Sequence, residues 1–375
     1  LAGRGEIIEA AEVAMQRVLR GKAAKSQMLL GLRGTGKTVL LNAIESKAEK
    51  HGLVTSFIEA PEDESLAQLL YPKLHQALQR MSAIEGAKAA TYRAMRALRG
   101  FASVFKIKIG DISISVDPEP GSADSGQLDL DLSDLFLRVG DAARAAKSAW
   151  VLLIDEVQYL EEKELGALIV AIHRAAQKSM PIVFFGAGLP QLAALAGEAK
   201  SYSERLFDYP PIGPLSDEAA RTAIRDPIQD EGAKISDAAL DEIIGKTEAY
   251  PYFLQEWGFQ AWNAAPKSPI SLPDVHVATR SALQRLDNGF FRVRFDRLTP
   301  KERSYVLAMA LLGKGPYRSA DVAAQLNEKV QSLGPCRSSI IRKGMIYSPQ
   351  HGDIDFTVPM FDEFLRRTFT AAGAA

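Results

Sequence analysis

Apolar residues recur at helical spacing over positions 6–19 and then gather into the short run Met28, Leu29, Leu30. After a glycine-rich segment, helical periodicity resumes to about His51, and Val54 to Ile58 reads as the next strand. Strand, helix and strand in that order predict a βαβ unit, hence an α/β domain of three layers around a mostly parallel sheet. Two Ala- and Leu-rich helices are expected between about 65 and 100. The pattern then changes to strict alternation in Lys106, Ile107, Lys108, Ile109 and in Ile112, Ser113, Ile114, Ser115, joined at Gly110 and Asp111. That alternation predicts a hairpin inserted into the frame at about 100–127. Residues 117–126, with Pro118, Pro120, Gly121 and several serines, read as a mobile loop. Trp150 to Ile154 is unbroken and apolar, as expected of a strand buried on both faces. A helix over 163–178, a strand over 181–185 and a Gly-rich turn at 186–188 complete this part.

Pro210, Pro211 and Pro214 mark a boundary, after which 216–288 reads as helical throughout, with Ser216 and Ser236 as caps and acids in the first turns. This stretch is expected to form a small helical lid. Another shift falls at Phe290 and Phe291. Thr299 then caps a helix with Pro300 in its first position, a second helix runs from Ser319 to Leu326, and a third from Gly334 and Pro335 to Lys343. Two alternating segments at 345–347 and 354–356 flank Pro349 and Gly352. Three helices and a hairpin wing predict a winged helix-turn-helix. The expected organisation is a core over 1–212, a lid over 213–289 and a winged helix over 290–375.

The glycine-rich segment is specific. Gly31, Leu32, Arg33, Gly34, Thr35, Gly36, Lys37 and Thr38 fit G-x-x-x-x-G-K-[ST] at every fixed position, directly after a predicted strand and before a helix that opens with Val39. Glycines at these positions let the backbone turn its N–H groups inward as a nest for phosphate oxygens. Lys37 adds a full positive charge, and the Thr38 hydroxyl is of the kind that completes the shell of Mg²⁺. Arg33 stands at a variable position, where its guanidinium is expected to face solvent. The run ending at Ile154 delivers Asp155 and Glu156, a Walker B pattern: Asp155 to hold Mg²⁺ through water, Glu156 to polarise an attacking water. A nucleotide with Mg²⁺, and hydrolysis of its γ-phosphate, are therefore expected.

Composition narrows the rest. Apolar and charged fractions of 47% and 24% are those of an ordinary globular protein. A net charge of −1 excludes a nucleic-acid binder that works through its whole surface, so any such surface must be local. Residues 290–370 carry thirteen Lys and Arg against eight Asp and Glu, a local +5. One cysteine, Cys336, excludes intramolecular disulfides, and five scattered histidines suggest no structural zinc. No apolar run approaches a membrane span and no signal peptide is visible, so the cytoplasm is the expected compartment. In the third helix of the last segment Leu333, Cys336, Ile340 and Ile341 are expected inside, leaving Arg337, Ser338, Arg342 and Lys343 to meet duplex DNA.

With these segments in order, the chain resembles AAA+ ATPases of the origin-recognition and initiator type, a class related to the STAND signalling ATPases. Ala2, Gly3, Arg4, Gly5 and Glu6 are similar to the h-G-R-x-E element of both groups, which implies that Gly3 and Arg4 lie against the adenine. The resemblance also implies an arginine finger at Arg205 within residues 201–207, offered to a neighbouring subunit in a homo-oligomer. Ala249, Tyr250 and Pro251 resemble the lid's G-x-P element, with Ala249 in place of the usual glycine. Gln191 falls in the first-sensor region, where Asn, Thr or Ser is usual, and 251–263 holds no Lys or Arg to serve as second sensor. These departures imply a slow, switch-like ATPase. The resemblance admits three roles: a regulator coupling nucleotide state to DNA, a STAND-like signalling ATPase, or a helper ATPase acting on protein partners.

Overall fold

The computed structural model describes residues 1–62, 64–107 and 117–370. Its frame is a five-stranded sheet made of β1 (Ser26–Leu30), β2 (Val54–Glu59), β3 (Trp150–Asp155), β4 (Ile182–Gly188) and β5 (Phe207–Asp208). The strands lie in the order β2-β3-β4-β1-β5, and every neighbouring pair is parallel. Side chains along β3 alternate between two cores. Trp150, Leu152 and Ile154 enter the core shared with helices Leu66–Ser82, Lys88–Val104, Leu128–Ala145 and Glu162–Gln177. Val151 and Leu153 enter the core shared with helices Gly5–Leu19 and Lys37–Lys50. Helices on both faces explain why β3 is apolar without interruption, and the expected three-layer α/β core is present. Trp150 is fully buried, meets Phe136 edge to face at 5.0 Å and donates Nε1 to Ser56 Oγ at 3.0 Å. An anchor of this kind contributes about 3–5 kcal/mol relative to alanine.

Two expectations change here. Gly186 and Gly188 belong to β4 rather than to a turn. A Cβ on Gly188 would lie 2.6 Å from Gln158 Oε1 and 2.9 Å from Leu192 Cδ2, so the glycine serves a close approach to a neighbour. The second half of 117–126 is tied to the core instead of hanging free. Buried Asp131 accepts hydrogen bonds from Ser125 N and Oγ at 2.9 and 2.7 Å and from Gly126 N at 2.8 Å, and Ser122 and Ala123 are buried. The helix Leu128–Ala145 that supplies Asp131 is an element the periodicity did not single out. The hairpin expected in this region falls mostly on 108–116, which lie outside the described residues.

Four helices follow the sheet: Asp217–Asp230, Asp237–Thr247, Pro251–Ala264 and Leu272–Arg285. Ser216 and Ser236 cap the first two, accepting from Ala219 N and Ala239 N at 3.3 Å each. The last helix does not end at a linker. It continues through a π-helical turn, Leu286–Phe291, directly into Arg292–Asp296, so the boundary expected at 289–290 falls inside one helical run. One hydrophobic core accordingly joins Ala220, Trp257 and Ala278 to Phe291, Tyr305 and Phe364.

Beyond it come helices Pro300–Leu311, Ser319–Gln325 and Val330–Arg342 and the short strands β6 (Tyr317–Arg318), β7 (Ile346–Tyr347) and β8 (Asp353–Phe356). These strands form an antiparallel sheet in the order β6-β8-β7. The helix Val330–Arg342 begins before Gly334 and keeps Pro335 inside it. Pro335 costs its own backbone bond, while buried Leu333 holds the preceding turn to the core. Among the described residues no helix is long and apolar enough to cross a membrane.

Candidate active site

The loop leaving β1 is shaped by its glycines. Gly34 and Gly36 have φ of +83° and +88°, and a Cβ on Gly31 would lie 2.2 Å from the Ile212 carbonyl oxygen. Thr35 Oγ1 donates to the Leu32 carbonyl at 2.9 Å and closes the turn. Lys37 opens the next helix and is 6% exposed, with Nζ donating to the Gly31 and Leu32 carbonyls at 2.8 and 2.9 Å. Burial pushes this ammonium below the ordinary lysine range, while the more distant Glu156 and Asp155 draw it back up. No carboxylate lies within ion-pair distance of it among the described residues. A buried cation without a contacting anion, beside a nest of N–H groups, fits the phosphates of a nucleotide.

Parallel pairing of β1 with β4 and of β4 with β3 brings the second motif to the same sheet edge. Thr38 Oγ1 donates to Asp155 Oδ2 at 2.5 Å, and the backbone N of Glu156 donates to Asp155 Oδ1 at 2.8 Å. Asp155 is 2% exposed; burial raises its pKa, opposed by the bond from Thr38. A hydroxyl and a carboxylate oxygen in contact are the hard donors that Mg²⁺ takes.

Glu156 follows in the left-handed region at φ +55°, which turns its side chain back toward the loop. Its Oε2 accepts from Gln158 Nε2, and Oε1 lies 3.6 Å from Arg33 Nη1. Gln158 Oε1 in turn accepts from Leu189 N at 3.1 Å. Arg33 does not face solvent as expected. Its Nη2 donates to Tyr159 OH at 2.5 Å, its Nε to the Gly344 carbonyl at 3.3 Å, and its backbone N to the Thr357 carbonyl at 3.0 Å. The carboxyl-terminal segment folds back onto the loop, and this long-range contact captures the guanidinium. A second cross-contact pairs Arg297 with Glu62 at 3.0 Å.

A cleft of about 770 Å³ opens over the loop, lined by residues 33–39, Ala2, Arg4, Glu156, Pro227, Pro251, Tyr252 and Arg294, among others. Arg4 donates to the Gly213 carbonyl, and burial lowers its pKa. Gly3, at φ +67°, is not in the wall; a Cβ there would lie 2.7 Å from Ala219 Cβ. Tyr252 N donates to the Gly34 carbonyl at 3.1 Å, so the helix opened by Pro251 touches the loop through its first turn. Ala249 has φ of +56°, the conformation in which glycine is favoured. Residues 251–263 offer no cation, but Arg294 enters the cleft from the helical run beyond the π-turn. It lies 3.9 Å over the Phe290 ring, which stacks on Tyr252 at 4.5 Å. Burial lowers the Arg294 pKa and the nearby Arg33 adds to this. Arg294, Gln158 and Tyr159 escaped the sequence reading; the Phe290 and Phe291 pair at a shift in composition was the available signal for the first.

The remaining candidates lie elsewhere. Gln191 is outside the cleft wall, its Oε1 buried without a partner among the described residues. Arg205 is exposed in the short helix Ser203–Leu206, in a separate groove of about 1120 Å³ that also holds Arg17, Lys25 and Tyr202. That groove is the larger cavity but contains no phosphate-binding backbone. Ser338 and Arg342 are exposed, and Arg337 Nη1 donates to Ser319 Oγ at 3.1 Å. Lys343 is committed internally, with Nζ donating to Glu302 Oε2 at 2.6 Å. Burial pushes the Glu302 carboxyl up, but bonds from Lys343, Ser339 and Thr299 outweigh it and hold the pKa at about 2.

Sheet order, loop and carboxylates are those of a P-loop ATPase core. Residues 1–185 match the AAA ATPase domain family, and residues 288–365 match a family described as a domain of unknown function. Among solved structures the chain is similar to the Walker-type ATPase PABY2304 of Pyrococcus abyssi, at 16% identity and a TM-score of 0.59, covering 98% of this chain and 96% of that one. It also aligns with the RuvB Holliday junction branch migration motor of Thermotoga maritima, at 14% identity and a TM-score of 0.46 over 94% and 92% of the two chains. ORC1 of Aeropyrum pernix, solved in complex with DNA, aligns at 13% identity and a TM-score of 0.47 over 100% and 95%. Agreement with the Pyrococcus abyssi ATPase supports the fold across nearly the whole chain. No curated protein matches.

Proposed function

We propose that the protein is a slow, switch-like ATPase that couples its nucleotide state to DNA binding through a winged helix in its last segment. The observation that carries this reading is the double grip on the phosphate loop, by Tyr252 N on Gly34 O and by the Gly344 and Thr357 carbonyls on Arg33. Whatever reshapes the loop reaches the lid and the last segment together, since one core joins them. Thr38 and Asp155 would hold Mg²⁺, which when bound neutralises charge on the phosphates. Lys37 and the loop amides bind the phosphates, and Arg4 and Pro251 frame the adenine end, while Gly3 stays outside the cleft wall. Glu156 takes a proton from water as its oxygen bonds to the γ-phosphorus and the bond to the ADP oxygen breaks; the proton then passes to the released phosphate. Gln191 serves as the first sensor. Its position outside the cleft wall supports slow turnover.

Duplex DNA is expected along the helix Val330–Arg342. Arg318, Arg337, Ser338, Ser348 and His351 line a groove of about 610 Å³ between this helix and β8. DNA retention is expected to fall about tenfold to hundredfold between 50 and 200 mM salt and to vanish in Arg337→Glu/Arg342→Glu. Lys343 is left unchanged in that test because it holds Glu302. Absence of retention at low salt, with or without ATP, rules DNA out. The docking of the last segment onto Arg33 favours a second reading, in which that segment is an internal clamp of a STAND-like signalling ATPase with protein partners. Retention on DNA separates the two.

Arg205 is proposed to act on a neighbouring subunit's γ-phosphate. Its exposure and its distance from its own cleft wall support this role. Sedimentation with ATP is expected to give an oligomer for the natural chain and a smaller species for Arg205→Ala. Unchanged size and turnover in that variant would remove the finger.

A further inference from the structure

The helix Asp217–Asp230 forms one wall of the cleft over the phosphate loop, and it carries a proline in its interior. The chain's first residues pack on this helix: a Cβ on Gly3 would lie 2.7 Å from Ala219 Cβ. Ala223, Asp226 and Pro227 follow Ala219 at helical spacing on the same face, and all three line the cleft. Residues 33–39 make the phosphate end. The helix wall, with Ala2 and Arg4 beside it, therefore stands at the end that would take the base.

Pro227 changes the chemistry of that wall. Proline has no N–H, so the bond that position 227 would donate to the Ala223 carbonyl is not made, and the ring crowds the same oxygen off the helix line. An interior helix proline is costly in any sequence. Here it leaves a backbone acceptor at a cleft wall. One residue away, Asp226 is exposed and makes no ion pair or side-chain hydrogen bond among the described residues. The arginines of its own helix are committed elsewhere, Arg221 to Asp217 and Asp241 and Arg225 to Asp237. Two unpaired acceptors, one neutral and one anionic, thus sit side by side where a base would meet them.

We propose that the Ala223 carbonyl released by Pro227 and the Asp226 carboxylate together read the exocyclic amine of adenine, so that this helix selects ATP over guanosine and inosine triphosphates. The adenine amine carries two N–H donors and satisfies both oxygens. Guanine and hypoxanthine carry an oxygen at that position, which leaves both acceptors unpaired and sets a third beside them. A site built to hydrogen-bond an N–H group rejects an analogue lacking it more strongly than an apolar pocket rejects a change of size. The phosphate loop cannot make this distinction, because the phosphates of all these nucleotides are alike.

The inference rests on the cleft being the nucleotide site, and the experiment separates the two. Calorimetric titration of the full chain with Mg²⁺ compares ATP, purine riboside triphosphate, which lacks the amine, inosine triphosphate and GTP. The natural protein, Asp226→Asn, Pro227→Ala and Lys37→Ala are each titrated. The natural chain is expected to bind ATP about tenfold more tightly than purine riboside triphosphate and about a hundredfold more tightly than inosine triphosphate or GTP. In Pro227→Ala the restored N–H occupies the Ala223 oxygen: ATP affinity is expected to fall about tenfold, that for purine riboside triphosphate to stay within about twofold, and the thermal melt to rise. Asp226→Asn can turn an N–H toward the base oxygen, and is expected to narrow the gap between ATP and inosine triphosphate to about tenfold. Lys37→Ala is expected to lose all four. If the natural chain binds the four alike or prefers GTP, or if Pro227→Ala weakens ATP and purine riboside triphosphate equally, the proposal is overturned while the site stands. If the natural chain takes up none of them, or Lys37→Ala takes them up unchanged, the site itself is wrongly assigned and the proposal falls with it. Should Pro227→Ala not fold, Asp226→Asn decides, and unchanged discrimination in that variant overturns the proposal.

Discussion

Glu156→Gln is expected to bind ATP as the natural chain does and to hydrolyse it about 10³-fold more slowly, the size of effect that follows loss of a positioned base. The substitution keeps shape and an oxygen toward Arg33 but removes the proton acceptor. With its oxygen toward Arg33 the new amide turns its N–H groups to the Gln158 donor and loses that contact, a local change beyond the end of β3. Asp155, which touches Thr38, is untouched by the change. Single-turnover hydrolysis with prebound ATP reads the chemical step alone, and a rate within a factor of a few of the natural one would show that another group activates the water.

Lys37→Ala is expected to remove ATP binding, with affinity lower by about 10³-fold, or about 4 kcal/mol. Two effects act in the same direction. The variant loses the one buried ammonium at the loop, and the Gly31 and Leu32 carbonyls lose the donor that holds them at 2.8 and 2.9 Å. Folding is expected to survive, because removing a desolvated charge that touches no carboxylate relieves a cost. Equilibrium dialysis with labelled ATP checks the affinity and a thermal melt checks the fold; tight binding by a folded variant would contradict the role given to Lys37.

The two motifs were legible because their geometry is local or set by one strand. Gly31 to Thr38 require only a strand before and a helix after, and Asp155 and Glu156 require only that an apolar run end there. The three layers were legible for the same reason, since 3.6-residue and unbroken apolar patterns record which faces are covered. What escaped depends on the chain returning to itself. Arg33 meets Gly344 and Thr357 across most of the sequence, and nothing near Arg33 records that meeting. Arg294 reaches the cleft because a π-turn carries a helix past the expected boundary at Phe290, a change of phase that periodicity does not register. The segment before Leu128 has the composition of a free loop, yet Asp131 on the next helix pins it. Lys343 has the type and place of a DNA contact but meets Glu302 first.

The central claim is that the Gly31 to Thr38 loop and the Asp155 and Glu156 pair form one ATP site. Calorimetric titration of ATP with Mg²⁺ into the full chain tests it most directly, with Lys37→Ala and Asp155→Ala alongside. The expected result is saturable uptake of one nucleotide per chain, lost with Lys37→Ala and weakened with Asp155→Ala when Mg²⁺ is present but not when it is chelated. No uptake by the natural chain, or uptake that both variants leave unchanged, would contradict the claim.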